Sequence, residues 1–128
     1  MSLNLAHFLE ISAKTYPNNT AVIYDDFRLT YAELNSYVKR VANILVDRGV
    51  QKGDKVAMMI PNTPHFPIIY YGILNVGATV VPVNCLLKAH EIQYYLEDSD
   101  AKVFFAWRGF YEDAVHAFNE TETCHHLI

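Results

Sequence analysis

Apolar residues recur along this chain with two periods, and the switching between them predicts alternating helices and strands. Lys55 to Ile60 is a short apolar run of the kind that is buried on both faces of a parallel sheet. Pro61 ends it, because proline has no N–H to give to a ladder. Asn62 and Thr63 suit a helix N-cap and Pro64 suits a first helical position. Phe66, Ile69, Tyr70, Ile73, Leu74 and Gly77 then follow at helical spacing, with Gly77 placed as the stop. Thr79 to Val83 resumes as a strand, broken by Pro82. Strand, helix and strand make a βαβ unit with a right-handed crossover. Pro67 is the misfit: with Thr63 as cap, it falls where an intrahelical bond should exist, so either the start shifts or a bond is lost.

The flanking segments follow the same logic. Leu5, Phe8, Leu9 and Ser12-Ala13 predict a short amphipathic helix ending before Pro17. Thr20 to Tyr24 and Phe27 to Thr30 flank Asp25-Asp26 and predict a hairpin with a tight turn. Thr30 and Glu33 are spaced as a capping box, opening a helix whose inner face is Leu34, Tyr37, Val38, Val41, Ile44 and Leu45, with Gly49 as its stop. Beyond the βαβ unit, His90 to Asp98 reads as a helix with Ile92, Tyr95 and Leu96 inward, and Val103 to Trp107 as a buried strand. Phe110, Ala114, Val115 and Phe118 mark a fifth helix, and the apolar rise at residues 124–128 predicts a further strand. The fold class is therefore α/β, a mostly parallel sheet flanked by helices on both faces, with residues 1–128 forming one α/β unit.

Composition narrows the functional classes. A length of 128 residues suits one domain, and 52% hydrophobic residues argue for a packed globule over disorder. A net charge of −4 with no basic cluster argues against nucleic acid as a partner. The longest uncharged stretch is interrupted by prolines and polar residues, so no transmembrane segment is expected, and no secretory signal is visible at the start. Two cysteines, Cys85 and Cys124, fit free thiols in a reducing, cytoplasmic setting better than a disulfide.

Candidate chemistry dissolves on inspection. Gly72-x-x-x-x-Gly77-Ala78-Thr79 echoes a phosphate loop, yet it lacks the lysine and runs from helix to strand, so it presents a helix C-terminus, where the dipole repels anions. His125 and His126, beside Cys124, occupy adjacent strand positions and point to opposite faces, a poor metal site. His7, His65 and His90 read as surface residues. Cys85 and Ser99 have no partnered base in view, and Cys85 reads as a small apolar residue past a strand end. Tyr70, Tyr71, Tyr94 and Tyr95 read as core by their spacing, and the carboxylates form no pair in a shared setting. No catalytic, cofactor-binding or metal-binding residue is expected within the chain.

Several blocks together do carry a resemblance. Pro61-Asn62, Phe66, Tyr70-Tyr71-Gly72, Leu74, Gly77-Ala78 and Val81-Pro82-Val83-Asn84 resemble the adenylate-forming superfamily, and within it the acyl-CoA synthetases that act on long- or medium-chain fatty acids. Leu29-Thr30-Tyr31-x-Glu33-Leu34 and Gly49-Val50-x-x-Gly53-Asp54-x-Val56-Ala57 precede these at the family's spacing. Leu86-Leu87-Lys88 and Glu91-Ile92-x-Tyr94-Tyr95-Leu96-x-Asp98-Ser99-x-Ala101-Lys102 follow. The likeness runs from about Phe8 to the last residue, with two departures: Cys85 stands where proline is commoner, and Ala89-His90 replaces polar or basic residues.

The resemblance implies an ATP- and magnesium-dependent ligase that activates a carboxylic acid as its adenylate and passes the acyl group to coenzyme A. The family's Ser/Thr/Gly-rich loop, its aromatic-Thr-Glu segment, its ribose-holding Asp and its C-terminal lysine have no counterpart among these residues. The chain thus reads as an N-terminal fragment of the large domain of a fatty-acid-CoA ligase, structural and inactive alone. Fatty acid, ATP and CoA are expected as partners of the parent, with peripheral membrane association open to it, and the aromatic content leaves room for a homodimer. Two alternatives stand beside this: a stand-alone interaction module with the synthetase fold and no chemistry, and a small Rossmann-like nucleotide-binding domain.

Overall fold

The computed structural model describes residues 4–128. Helix α1 (Leu5–Thr15) is capped by Asn4, whose side chain accepts from the Ala6 N–H. Strands β1 (Thr20–Tyr24) and β2 (Phe27–Thr30) form an antiparallel hairpin, with Tyr24 opposite Phe27 and Asp25 in the left-handed region at φ 51°. Helix α2 (Tyr31–Asp47) begins on the expected capping box and stops before Gly49, at φ +80°. Strand β3 (Lys55–Met59), helix α3 (His65–Asn75) and strand β4 (Thr79–Pro82) are the βαβ unit, and β3 and β4 run parallel. Helix α4 (Ala89–Ser99), strand β5 (Val103–Ala106), a 3-10 turn at Arg108–Phe110, helix α5 (Tyr111–Asn119) and strand β6 (His126–Leu127) complete the order.

The four-stranded sheet has the order β4-β3-β5-β6 and is parallel throughout, while the hairpin stands apart as a second, two-stranded sheet. Side chains alternate across β3. Val56 and Met58 join Val103, Phe105, Leu45 and Ile73 in a core beneath α2 and α3. Ala57 and Met59 join Phe104, Ile92, Leu96, Ala114 and Ala117 beneath α4 and α5. The sheet is therefore covered on both faces, as its apolar strands require. A third core of Leu9, Leu29, Leu34 and Val38 fastens α1 and the hairpin to α2.

Three local expectations need correction. Helix α3 starts at His65, not at Pro64, and Pro64, not Asn62 or Thr63, takes the cap position, with no side-chain bond. Pro67 then lies in the first turn, where its missing N–H costs nothing. On α2 the buried line is Leu34, Val38, Ala42 and Leu45, leaving Tyr37 41% and Ile44 36% exposed, because the helix packs into the crevice between α1 and α3. On α4 only Ile92 and Leu96 are buried; Tyr95 is 43% and Tyr94 64% exposed, since a helix lying on a sheet buries one narrow stripe.

Candidate functional site

Two connections rise side by side from the C-terminal edge of the sheet. The chain leaves β3 at Met59 and enters α3 through Ile60 to Pro64, and it leaves β5 at Ala106 into Trp107. The Trp107 N–H donates to the Met59 carbonyl at 3.0 Å, which ties the two exits together. From β3 the chain passes to β4 on one side, whereas β5 lies on the other side. The edge between β3 and β5 is thus the point where strand order reverses, the usual position of a ligand crevice in an open α/β sheet.

A cleft of about 540 Å3 opens there. Thr63, Pro64 and His65 line it from the β3–α3 connection, Ile68 from α3 and Trp107 from the end of β5. Tyr24 and Phe27, either side of the hairpin turn, and Tyr37 of α2 complete the wall. The His65 ring meets Trp107 edge-on, 5.2 Å between centroids, and the Arg40 guanidinium lies 5.3 Å from the centre of the Tyr37 ring. The Thr63 hydroxyl is turned to the Pro61 carbonyl at 3.4 Å. The lining residues include no lysine, arginine or carboxylate, so the wall can receive apolar or planar groups and has no charged fork for a polyphosphate.

Other residues weighed from the sequence lie elsewhere. Gly77 sits at the end of α3 with φ +78°, its N–H donating to Leu74 and its carbonyl accepting from Gly53, both at 2.9 Å. Those groups make a helix stop and a turn. Gly72 is buried where α3 meets α2: a Cβ there would lie 2.6 Å from the Cβ of Val41. Its role is close helix approach. His125 is exposed at the entry to β6 and His126 is half-buried within it; among the described residues no group of three or more His, Cys, Asp or Glu side chains is placed to hold a metal ion. Cys85 and Cys124 are both free thiols. Burial pushes the Cys124 thiol up to about 11 and raises Cys85, which opposes any nucleophilic role.

Charged contacts hold the frame. At the opposite edge of the sheet the Asp54 carboxylate accepts from the Gln51 N–H at 2.7 Å and from Lys102 at 3.2 Å. The Gln51 bond, helped by Lys102, holds its acidity below the ordinary aspartate value. The Lys39 ammonium on α2 donates to Glu10 on α1 and likewise lowers Glu10.

Sequence reasoning does not assemble the cleft. Helical spacing puts Tyr37 in the core, His65 reads as a surface residue, and Asp25-Asp26 reads merely as a turn. The available signal is positional, in that the residues following two neighbouring parallel strands share one edge.

The family model for AMP-binding enzymes matches residues 9–127. The chain belongs to that family. The long-chain-fatty-acid–CoA ligase FadD13 of Mycobacterium tuberculosis is 42% identical over 78 residues, which is 61% of this chain and 16% of that protein. The oxalate–CoA ligase of Arabidopsis thaliana is 39% identical over 101 residues, 77% of this chain and 20% of that protein. A solved fatty acyl CoA synthetase of Mycobacterium tuberculosis superposes with a TM-score of 0.90 at 31% identity, over 98% of this chain and 26% of that one. The chain spans about a quarter or less of the length of these relatives. The resemblance carried by the sequence blocks and the α/β architecture both hold. No helix among the described residues is long and apolar enough to cross a membrane.

Proposed function

We propose that this chain is the N-terminal part of an acyl-CoA ligase acting on fatty acids, and that it serves that enzyme as framework. The match to the AMP-binding enzyme family across residues 9–127, in a chain spanning about a quarter or less of its relatives, carries the reading. The parent joins a carboxylic acid to coenzyme A at the expense of ATP with magnesium, in the cytoplasm, with peripheral contact to membranes that supply its acids. In such a reaction the catalytic work is charge neutralisation at the transferring phosphorus. The residues present do not fit that role, because the cleft wall has no lysine, arginine or carboxylate, and of the two glycines with phosphate-loop spacing one packs within a helix and the other ends it. No step is therefore assigned to side chains of this chain.

The acid is proposed at the level of class. Relatives of similar identity bear names with different acids, a long-chain fatty acid in one and oxalate in the other. Such agreement across this region fits a framework role, with selection made elsewhere in the protein. The test is carboxylate-dependent ATP–pyrophosphate exchange by the protein extended to the length of its relatives, scanned across acids of different length. Exchange with fatty acids is expected; silence with every acid removes the assignment.

A homodimer through α1 belongs to the same reading. Leu5, Phe8 and Ile11 are 51%, 53% and 59% exposed beside the buried Ala6 and Leu9, which makes that helix apolar around most of its circumference. Sedimentation at high concentration should show dimer, and a strict monomer would count against it. A stand-alone interaction module is the second reading, favoured by the aromatic cleft. A reading frame that ends at Ile128 would select it.

A further inference from the structure

We infer that the aromatic cleft at the β3–β5 edge is a seat for polypeptide of the same enzyme, namely the segment that continues from β6 in the longer ligase. This rests on the reading of the chain as part of such a ligase. Three features of the molecule carry it. The first is the wall. Tyr24, Phe27 and Tyr37 are 46%, 48% and 41% exposed, and they face one another across a single depression. Leaving that much aromatic surface in water forgoes the largest favourable term in folding, so such a patch marks an interaction site.

The second feature is the chemistry of the wall, which selects the occupant. Its lining residues include no lysine, arginine or carboxylate, and the Thr63 hydroxyl is already directed to a backbone carbonyl. A nucleotide or the phosphates of coenzyme A would find no Lys or Arg among the lining residues, the nearby Arg40 guanidinium being stacked on the Tyr37 ring, whereas apolar side chains of a peptide segment would find rings and Ile68.

The third is direction. Strand β6 runs parallel to β5, with Val103 opposite His126 and Phe104 opposite Leu127. The ladder continues beyond it: the Ile128 N–H donates to Phe104 and the Ala106 N–H donates to the Ile128 carbonyl, both at 2.9 Å. Ile128 and Trp107 pack against the same core. The chain direction at Ile128 therefore points along β5 towards Trp107, which is one wall of the cleft. Connections in α/β folds are short, so a segment leaving β6 starts at the same edge of the sheet as Trp107, within reach of the cleft.

The test uses Phe27→Cys, with Tyr37→Cys as a second variant should the first disturb the hairpin, each made in the 128-residue chain and in the extended protein. Maleimide labelling of the new thiol is compared between the two lengths after circular dichroism has shown the variants folded. The rate should fall at least about tenfold in the extended protein, as for a site that opens only by local unfolding. Equal rates at both lengths overturn the proposal. In parallel, Trp107 is the only tryptophan of the 128 residues, and its emission in this chain should be unmoved by ATP with magnesium, by coenzyme A or by a fatty acid. A saturable shift with any of them makes the cleft a ligand site and also overturns it. Protection of the thiol without pyrophosphate exchange would keep the interface and sink the ligase reading; exchange without protection would do the reverse.

Discussion

Thr30 and Glu33 show how much a pair of residues can fix. The Glu33 N–H donates to the Thr30 hydroxyl oxygen at 3.2 Å, and the Thr30 N–H donates to the Glu33 carboxylate at 2.9 Å. Both satisfy backbone donors that the first turn of a helix cannot satisfy itself. Thr30→Ala should lower stability by about 1 kcal/mol, read as a lower urea midpoint with an unchanged slope. Asp54 makes a second prediction at this scale. Its folded-state value is depressed, so its contribution is present above the ordinary value of 3.8 and is lost as pH falls through the depressed one. Asp54→Asn should therefore melt below the parent at neutral pH, and the gap should close in acid below that range. A gap that stayed constant down to the acid limb would exclude the Gln51 and Lys102 contacts as its source. Cys124, buried and with a raised pKa, should react with thiol reagents far more slowly than Cys85 in the native chain, and both should react at similar rates in denaturant.

Among the elements, the α2–α3 crossing depends on one absent side chain. The Val41 side chain occupies the space that a Cβ at Gly72 would need, and the Val38 carbonyl lies 3.4 Å from it. The Tyr70-Tyr71-Gly72 block is thus, at its glycine, a requirement for two helices to approach closely. Gly72→Ala should destabilise by about 1–3 kcal/mol through overpacking, and Val41→Ala in the same chain should recover part of that loss. Additive losses in the double variant would contradict the contact. The apolar pattern predicts these two helices well, but it cannot choose which of their apolar residues turn inward. Tyr37 and Ala42 exchange places relative to expectation because α2 is contacted from two sides, by α1 and by α3. Local spacing describes one face, and a helix in a crevice has two. Pro67 is a misfit in the pattern for the same reason of scale: a shift of the helix start to His65 removes the conflict, and caps alone do not locate that start.

For the molecule as a whole, the governing fact is a parallel sheet covered on both faces, with α1 and the hairpin still presenting apolar surface. The 128-residue chain should give no saturable heat with ATP and magnesium in calorimetry, because nothing lining the cleft neutralises phosphate charge. Tight binding would overturn the framework reading.

The amino-acid order alone was sufficient for the succession of helices and strands, the capping box, the glycine stops and the family. Each of these depends on residues within a few positions of one another, or on short blocks at fixed spacing. The strand order, the choice of buried face on α2 and α4, and the meeting of Tyr24, Phe27, Tyr37, His65 and Trp107 were decided only by the folded chain. Those residues come from four separate segments; the parallel pairing of β3 with β5 brings His65 beside Trp107, and the packing of α2 on α3 with the hairpin on α2 brings the others, long-range contacts that no local period encodes.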